Sequence, residues 1–262
     1  MSHLNCTIDQ QVAILTLDHV PQNRIDDQMV EELAEALSMI TNSDARAVLV
    51  CAAGADFSYG GDILPWPERD RAQLRSTFER YMEVFNRFER LPLPVVVAVQ
   101  GLCFGGGFEL ALRADVIFAA DSARFGHPEQ TIGIVTLLGG IYRVAERAGR
   151  ARASEWALTS EQVPAAVMAQ AGVINKVFAD DALLDEARAF VDRLAKGPTR
   201  AFAAHKALLR TAATAGVAVA DEIMFDVAMP VFDSQDATGG IASAVDAIRL
   251  AQPRPSFPFK GL

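Results

Sequence analysis

Short apolar runs recur along the first two thirds of the chain, each bounded by polar or glycine-containing segments. Runs of about four to eight residues rich in valine, isoleucine and leucine are typical of strands buried in a parallel sheet. The longest loop is predicted at residues 54–67. The pattern predicts strands at residues 12–17, 47–53, 93–99, 115–120 and 173–178, with a short further strand at 123–125.

Other segments carry apolar residues at helical spacing. The first such helix follows Asp26, which suits an N-cap, and its apolar face is formed by Met29, Val30, Leu33, Leu37 and Ile40. Longer stripes of the same spacing predict helices over residues 69–91 and 183–194. Gly197-Pro198 ends the second of these, because neither residue continues a helix well.

The pattern changes character in the last part of the sequence. From Leu137 to about Leu250 it stays helical, apart from the strand at residues 173–178, and a proline-rich tail follows from Pro253. Strands that alternate with helices, followed by a helical third, are typical of an α/β protein with an added helical region. We therefore expect an α/β fold with a helical C-terminal region.

A glycine triplet, Gly105-Gly106-Gly107, follows the strand at residues 93–99 and opens a helical stretch at 108–113. This layout leaves free backbone N–H groups at the start of the helix, where they favour negative charge. Glycine also lets a ligand approach the backbone, because no Cβ intervenes. The segment lacks the G-x-G-x-x-G spacing of dinucleotide-binding proteins. A tight structural turn is the alternative interpretation.

Two glutamates lie next to turns of this kind. Glu109 falls in the first turn of the predicted helix, inside an apolar segment where an ionisable side chain is costly unless it is paired or used. Glu129 follows Pro128, twenty positions further on. For Glu129 alone, a carboxylate at a helix N-terminus is an equally good interpretation. Together, two such carboxylates could serve as general acid and general base if their surroundings separate their pKa values.

Composition limits the classes of partner. The 262 residues carry a net charge of −9 with a pI near 5.0, which argues against nucleic acid or an anionic membrane as a partner. No signal peptide or membrane-spanning run is evident. Cys6, Cys51 and Cys103 are predicted to be free thiols in a reducing compartment, and we expect a cytoplasmic protein. The four histidines show no zinc-ligand spacing.

Several motifs together resemble one family. They are Gly101–Arg113 with Asp115, the Phe125–Ile134 segment that contains Glu129, and Phe57-Ser58-Tyr59-Gly60-Gly61-Asp62-Ile63. Their sequences and spacing are similar to those of the enoyl-CoA hydratase/isomerase (crotonase) superfamily, and the resemblance runs from about residue 5 to about residue 250. It implies a crotonase-like spiral of ββα units over residues 1–195. It also implies a helical trimerisation region over residues 196–262, and hence a homotrimer or a dimer of trimers.

The resemblance further implies an acyl-CoA thioester as substrate. The reaction would be hydration of a 2-enoyl-CoA to the 3-hydroxyacyl-CoA through an enolate. By motif position, the backbone N–H groups of Gly61 and Gly106 would hold the thioester oxygen in an oxyanion hole. Glu109 would orient the attacking water, and Glu129 would exchange the α-proton. No cofactor or metal is implied, because coenzyme A is part of the substrate.

Residues near these motifs are expected to bind the substrate. They are Tyr59, Gly60, Asp62, Ile63, Trp66, Gly105, Phe108, Leu137 and Leu138. Asp62 is expected to shape its loop so that the Gly61 N–H points inward. Leu137 stands where the family commonly has glycine, which predicts short or compact acyl groups. Leu64-Pro65-Trp66 replaces a run that often carries a basic residue, so a basic contact to coenzyme A is expected to be absent there.

The same superfold carries many reactions. An enoyl-CoA isomerase, a cyclic dienoyl-CoA hydratase and a thioester hydrolase are alternatives within the family. A non-catalytic paralogue that only binds acyl-CoA is an alternative from a different class, which the altered segment at residues 135–142 keeps open. The presence of both glutamates favours hydration, since an isomerase can work with one.

Overall fold

A six-stranded sheet and a three-stranded sheet make up the β-structure of the computed structural model, which describes residues 1–262. The strands are β1 (Leu4–Asp9), β2 (Val12–Leu17), β3 (Ala47–Ala52), β4 (Val95–Val99), β5 (Leu102–Phe104), β6 (Val116–Ala120), β7 (Arg124–Gly126), β8 (Val163–Pro164) and β9 (Lys176–Phe178). The larger sheet has the order β1-β2-β3-β4-β6-β9 and is antiparallel only between β1 and β2. In the smaller sheet, β7 pairs in parallel with β5 and antiparallel with β8.

Seven helices accompany these strands, and side chains cap the starts of the first two. They are α1 (Asp27–Thr41), α2 (Arg71–Glu89), α3 (Gly105–Ala111), α4 (Gly140–Ala148), α5 (Arg150–Thr159), α6 (Ala165–Gln170) and α7 (Leu183–Ala195). The predicted N-cap of α1 is confirmed, since the Asp26 carboxylate accepts a hydrogen bond from the Met29 N–H at 2.8 Å. Asp70 and Gln73 form a reciprocal capping box at the start of α2. Short 3₁₀ turns occupy Trp66–Glu68 and Glu129–Ile132.

The core lies around β4, which the larger sheet places between β3 and β6. Every residue of β4 is buried, and this explains why its sequence is a continuous apolar run rather than an alternating one. Phe85 and Phe88 of α2 are fully buried as well. Burying side chains of this size stabilises the fold by roughly 1.5–3 kcal/mol each. After the buried strand β4, the chain continues through β5 into the glycine turn at the start of α3. The core packing around β4 therefore positions this turn.

Two strands differ from the sequence prediction. β1 was not foreseen as a separate strand, because most of its side chains are exposed and the apolar signal is weak. The strand predicted at residues 173–178 begins only at Lys176. Val173 instead closes the end of α6, where its N–H bonds to the Met168 carbonyl at 2.9 Å. The remaining strands predicted in the first two thirds are found, which confirms the α/β prediction.

The chain divides into two compact units, residues 1–91 with 95–191, and residues 92–94 with 192–262. The second unit contains α8 (Thr199–Ala215), α9 (Val217–Phe232) and α10 (Gln235–Arg249), which confirms the helical C-terminal region. The domain boundary predicted after residue 195 stays a prediction, because compactness alone does not show that a unit folds independently. None of the helices combines the length and the apolar character needed to cross a membrane.

Candidate active site

A cavity of about 180 Å³ opens in the first unit, where the segment after β3 meets the start of α3. Most of the residues predicted for catalysis or substrate binding line it: Tyr59, Gly60, Gly61, Ile63, Trp66, Gly105, Gly106, Glu109, Glu129, Leu137 and Leu138. The fold thus brings together four sequence segments that are separated along the chain. The cavity is the natural place to look for the chemistry of the two glutamates.

The two glycine segments approach each other closely. Gly60 has φ +94° and Gly105 has φ +48°, conformations that favour glycine over other residues. A Cβ on Gly60 would lie 3.0 Å from the Phe104 carbonyl oxygen and 3.2 Å from the Gly106 nitrogen. Only a residue without a side chain fits this contact without moving one of the two turns.

Hydrogen bonding explains which N–H groups stay free. The Gly60 N–H donates to the Ser58 hydroxyl at 3.1 Å, and the Asp62 N–H donates to the Ile25 carbonyl at 2.9 Å. The Gly61 N–H, between them, donates no hydrogen bond within the chain. The Gly106 N–H lies in the first turn of α3, where no carbonyl one turn earlier receives it. Two neighbouring donors, Gly61 and Gly106, are thus available at the cavity wall.

Glu109 is held by backbone N–H groups of the segment that leads into α4. Its side chain is only 2% exposed, and its Oε1 accepts hydrogen bonds from the N–H groups of Leu138 at 2.8 Å and Gly140 at 2.9 Å. Burial raises the pKa of Glu109 above its usual value, although these two hydrogen bonds oppose the shift. The carboxylate therefore has one fixed oxygen, while Oε2 accepts no bond within the chain.

Glu129 is held less firmly. Its Oε1 lies 3.2 Å from the point that a Cβ on Gly105 would occupy, and its Oε2 is buried without a hydrogen-bond partner. Burial, together with the negative charge of Glu109, raises the pKa of Glu129 to about 7. The two carboxyl groups of the cavity thus differ in their anchoring, which can separate their roles as acid and base.

A buried arginine network supports the loop that anchors Glu109. Arg113, whose side chain is fully buried, donates to the Leu138 carbonyl at 2.7 Å and forms an ion pair with Glu89 at 3.0 Å. Arg143 binds the same Glu89 carboxylate with two hydrogen bonds, at 2.6 Å and 2.8 Å. The sequence analysis did not identify this network. The one feature of the sequence that could have indicated it is Arg113, a charged residue that follows the apolar α3 segment four residues after Glu109.

Two predicted substrate-binding residues do not line the cavity. Phe108 is buried against the rings of Phe125 and His127, with centroids 5.3 Å and 5.0 Å away. Consecutive helical residues point about 100° apart, so Phe108 faces inward when Glu109 faces the cavity. The Asp62 carboxylate instead accepts a hydrogen bond from the Leu64 N–H at 3.3 Å, within its own loop. The bond within the loop fits the expected loop-shaping role of Asp62. That Phe108 and Asp62 bind substrate stays a prediction, which the cavity lining does not support.

Trp66 and Arg24 shape the cavity wall beside Gly61. Trp66 packs edge-on against Phe78 at 5.3 Å, and its ring lies 3.4 Å from the point that a Cβ on Gly61 would occupy. Arg24 also lines the cavity, and its guanidinium lies 5.9 Å over the Tyr59 ring. Sequence analysis did not identify Arg24. The segment Leu64-Pro65-Trp66 carries no basic residue, and Arg24 places a positive charge at the cavity instead.

Two of the four histidines meet outside the cavity. The rings of His3 and His19 stack in parallel at 3.7 Å, and His3 Nδ1 lies 2.8 Å from the Asp26 carboxylate that caps α1. These three side chains are the one group whose ligand atoms lie close enough to hold a metal ion. Ring nitrogens point within their ring planes, however, and the two planes differ by only 7°. Parallel rings do not aim their lone pairs at a common ion, so this cluster is not a preformed metal centre.

The family model for enoyl-CoA hydratase/isomerase matches residues 7–244 of this chain. The chain is 31% identical to 2,3-dehydroadipyl-CoA hydratase of Escherichia coli (strain K12), over 80% of this chain and 82% of that protein. It is 34% identical to carnitinyl-CoA dehydratase of Escherichia coli O6:H1, over 79% and 80%. The solved structure of an enoyl-CoA hydratase/carnithine racemase from Magnetospirillum magneticum is 27% identical and superposes with a TM-score of 0.86, over 98% of this chain and 96% of that one. The predicted crotonase-like fold is confirmed, and the chain belongs to the enoyl-CoA hydratase/isomerase superfamily.

Proposed function

We propose that this protein, a hydro-lyase of the crotonase type, adds water to a 2-enoyl-CoA thioester and forms the 3-hydroxyacyl-CoA. The observation that carries the proposal is the pairing of two carboxylic acids, the buried Glu109 and the half-buried Glu129, with two free backbone donors around one cavity. The named relatives include a hydratase and a dehydratase that act on CoA esters. Their reaction class is the same addition or loss of water.

The N–H groups of Gly61 and Gly106 would hold the thioester oxygen of the substrate. When water attacks the β-carbon, negative charge moves through the conjugated system onto this oxygen, and the thioester becomes an enolate. Two fixed donors stabilise that charge without reorganising during the reaction. Glycine at both positions keeps side chains away from the thioester, so the donors can reach hydrogen-bond distance.

The proton transfers require that one glutamate of the pair is protonated and the other is ionised. Glu109, ionised and anchored through Oε1, would accept a proton from water with Oε2 while the water oxygen bonds to the β-carbon. Glu129, protonated, would deliver its proton to the α-carbon of the enolate. The pair then holds one proton again, but on the other residue, and the reverse sequence removes water. A pKa of Glu129 raised to about 7 keeps this proton available near neutrality.

The altered segment at residues 135–142 does not remove this machinery. It contributes the Leu138 N–H, and it contains Gly139-Gly140, whose second N–H also binds Glu109. This favours an active enzyme over the non-catalytic acyl-CoA-binding paralogue. Leu137 and Leu138 both line the cavity, which supports short or compact acyl groups as substrates.

A panel of enoyl-CoA esters tests the proposal. Loss of the enone absorbance with C4, C8 and C16 substrates would report hydration, and product analysis would separate the alternatives. Release of free coenzyme A would indicate a thioester hydrolase, and a shifted double bond would indicate an isomerase. Binding of CoA esters across the panel without any turnover would contradict the proposal and favour the non-catalytic paralogue.

A further inference from the structure

His127 is a buried histidine next to the proposed active site that the mechanism above does not use. It lies two residues before Glu129 and is only 3% exposed. Its ring packs on Phe108 with centroids 5.0 Å apart, and neither ring nitrogen has a hydrogen-bond partner. Buried polar groups in folded proteins are nearly always paired, so two orphaned nitrogens on one ring need an explanation.

The nearby Glu129 carboxylate offers an explanation for one of them, Nδ1. His127 Nδ1 lies 3.9 Å from Glu129 Oε2, and this oxygen is itself buried without a partner. An orphaned donor and an orphaned acceptor thus face each other across a gap that an approach of roughly 1 Å would close to hydrogen-bond distance. His127 lies between the end of β7 and the 3₁₀ turn that begins at Glu129, so only Pro128 separates the two residues along the chain.

The remaining neighbours of the ring provide no competing partner. From the start of α4, Gly140 presents only its backbone, and a Cβ there would lie 2.3 Å from His127 Cε1. From α3 come Phe108 and Glu109, and the Cγ of Glu109 would lie 2.8 Å from the same Cβ. The Ser160 hydroxyl, just after α5, bonds to the backbone carbonyl of His127 and not to its ring. Among these neighbours, the titratable groups are the two glutamates of the cavity.

The two oxygens of Glu129 face different surroundings. Oε1 lies against Gly105, which lines the cavity, whereas Oε2 is buried and points towards His127. A carboxylic acid can carry its proton on either oxygen, but only a proton on the oxygen facing the substrate can be delivered. A donor that occupies Oε2 would keep the exchangeable proton on Oε1.

We propose that His127 is a positioning residue whose neutral imidazole donates from Nδ1–H to Glu129 Oε2 in the substrate complex and confines the exchangeable proton to Oε1. The proposal rests on the proposed function of Glu129. Burial lowers the pKa of His127 to about 4, so that at neutral pH the ring carries a single N–H. No bond to substrate forms or breaks at His127, and its own proton stays in place throughout.

Two substitutions separate positioning from packing. His127→Phe keeps a ring of similar shape but removes the donor, and kcat should fall by about 10- to 100-fold with little change in KM. The alkaline limb of its pH profile should move upward, because the ionised form of Glu129 loses a donor that favours it. His127→Asn places an amide N–H near the position of Nδ1, and should restore both kcat and the profile towards wild type.

A spectroscopic measurement on the wild-type protein does not depend on either variant folding. Imidazole ¹⁵N NMR of histidine-labelled protein, free and with saturated butanoyl-CoA, should show His127 as the neutral Nδ1–H tautomer. An Nε2–H tautomer in the complex would overturn the proposal. A His127→Phe enzyme that hydrates substrate with wild-type kcat and wild-type pH profile would overturn it as well, and would leave the proposed function intact. Failure of the wild type to hydrate any enoyl-CoA would count against the proposed function instead.

Discussion

At the residue scale, the two glutamates of the cavity are anchored in different ways. Glu109 receives two backbone N–H groups on one oxygen, which favour its ionised form and oppose the effect of burial on its pKa. Only the backbone N–H of Glu129 itself favours its ionised form, and burial and the charge of Glu109 outweigh it and raise the pKa of Glu129 to about 7. The difference favours the shared proton on Glu129, where the proposed delivery to the α-carbon requires it.

This difference predicts the pH dependence. Hydration neither takes up nor releases a proton, so both directions use the same singly protonated pair and should share one bell-shaped profile of kcat/KM. Activity should fall as the pH rises through about 7, where Glu129 loses its proton. It should also fall in acid, as Glu109 becomes protonated at a pH above the usual glutamate pKa. Initial rates of hydration and dehydration, measured from acid to alkaline pH, test this profile. A hydration rate that stays constant well above pH 7 would contradict the prediction.

At the scale of elements, the two proposed oxyanion donors depend on two glycine turns that touch. Gly60→Ala would place a Cβ 3.0 Å from the Phe104 carbonyl and 3.2 Å from the Gly106 nitrogen, at a φ of +94°. Neither backbone can yield without displacing a donor, so kcat should fall by about 10²-fold. Gly172→Ala is the matched control, since Gly172 also has a positive φ of +82° but its nearest contact is an ordinary 3.4 Å. Comparable loss of kcat in both variants would show that strain alone is responsible.

The loop before α4 should set the size of the acyl group. Leu137 lines the cavity where the family commonly has glycine, and a leucine side chain occupies volume that a longer acyl chain would need. Leu137→Gly should raise kcat/KM for C8 relative to C4 substrates by about 10-fold or more. Leu64→Gly serves as the control, because Leu64 is exposed in the neighbouring loop and does not line the cavity. A wild-type preference for C16, unchanged in Leu137→Gly, would mean that Leu137 does not contact the acyl chain.

The elements also show where sequence patterns are informative. β4 could be predicted because a strand buried on both faces has a continuous apolar sequence. β1 and β5 could not be, since one is mostly exposed and the other spans only three residues inside a glycine-containing segment. The motifs correctly predicted that the two glutamates lie together, but they did not predict the direction in which the Phe108 side chain points. That direction depends on which face of the short helix α3 turns towards the sheet.

At the scale of the whole molecule, the second unit exposes many large apolar side chains. They include Leu209, Val217, Val219, Met224, Phe225, Met229, Phe232, Ile241 and Ile248. A surface of this kind usually serves self-association, and the sequence prediction of a homotrimer or a dimer of trimers stays a prediction. That prediction came from the family resemblance, because hydrophobic periodicity within one chain does not show which exposed apolar residues contact a second copy.

Light scattering tests the assembly directly. The wild type should have a mass of three or six times the 28.2 kDa of one chain. Phe225→Asp should dissociate it, because a carboxylate replaces an apolar side chain that is 70% exposed in the single chain. Leu158→Asp, at a 77% exposed position on α5 in the first unit, should leave the mass unchanged. A wild-type monomer at micromolar concentration would contradict the prediction.

The conversion of 2-butenoyl-CoA in D₂O, followed by NMR, tests the central claim most directly. The wild type should give the 3-hydroxy product with one deuterium on the α-carbon. Glu109→Gln and Glu129→Gln should each lower kcat by about 10²–10⁴-fold while butanoyl-CoA binds as before. Glu32→Gln should keep wild-type kcat, since this carboxylate also accepts two backbone N–H bonds but lies outside the cavity. Wild-type kcat in either of the first two variants, or no hydration by the unaltered protein, would contradict the account.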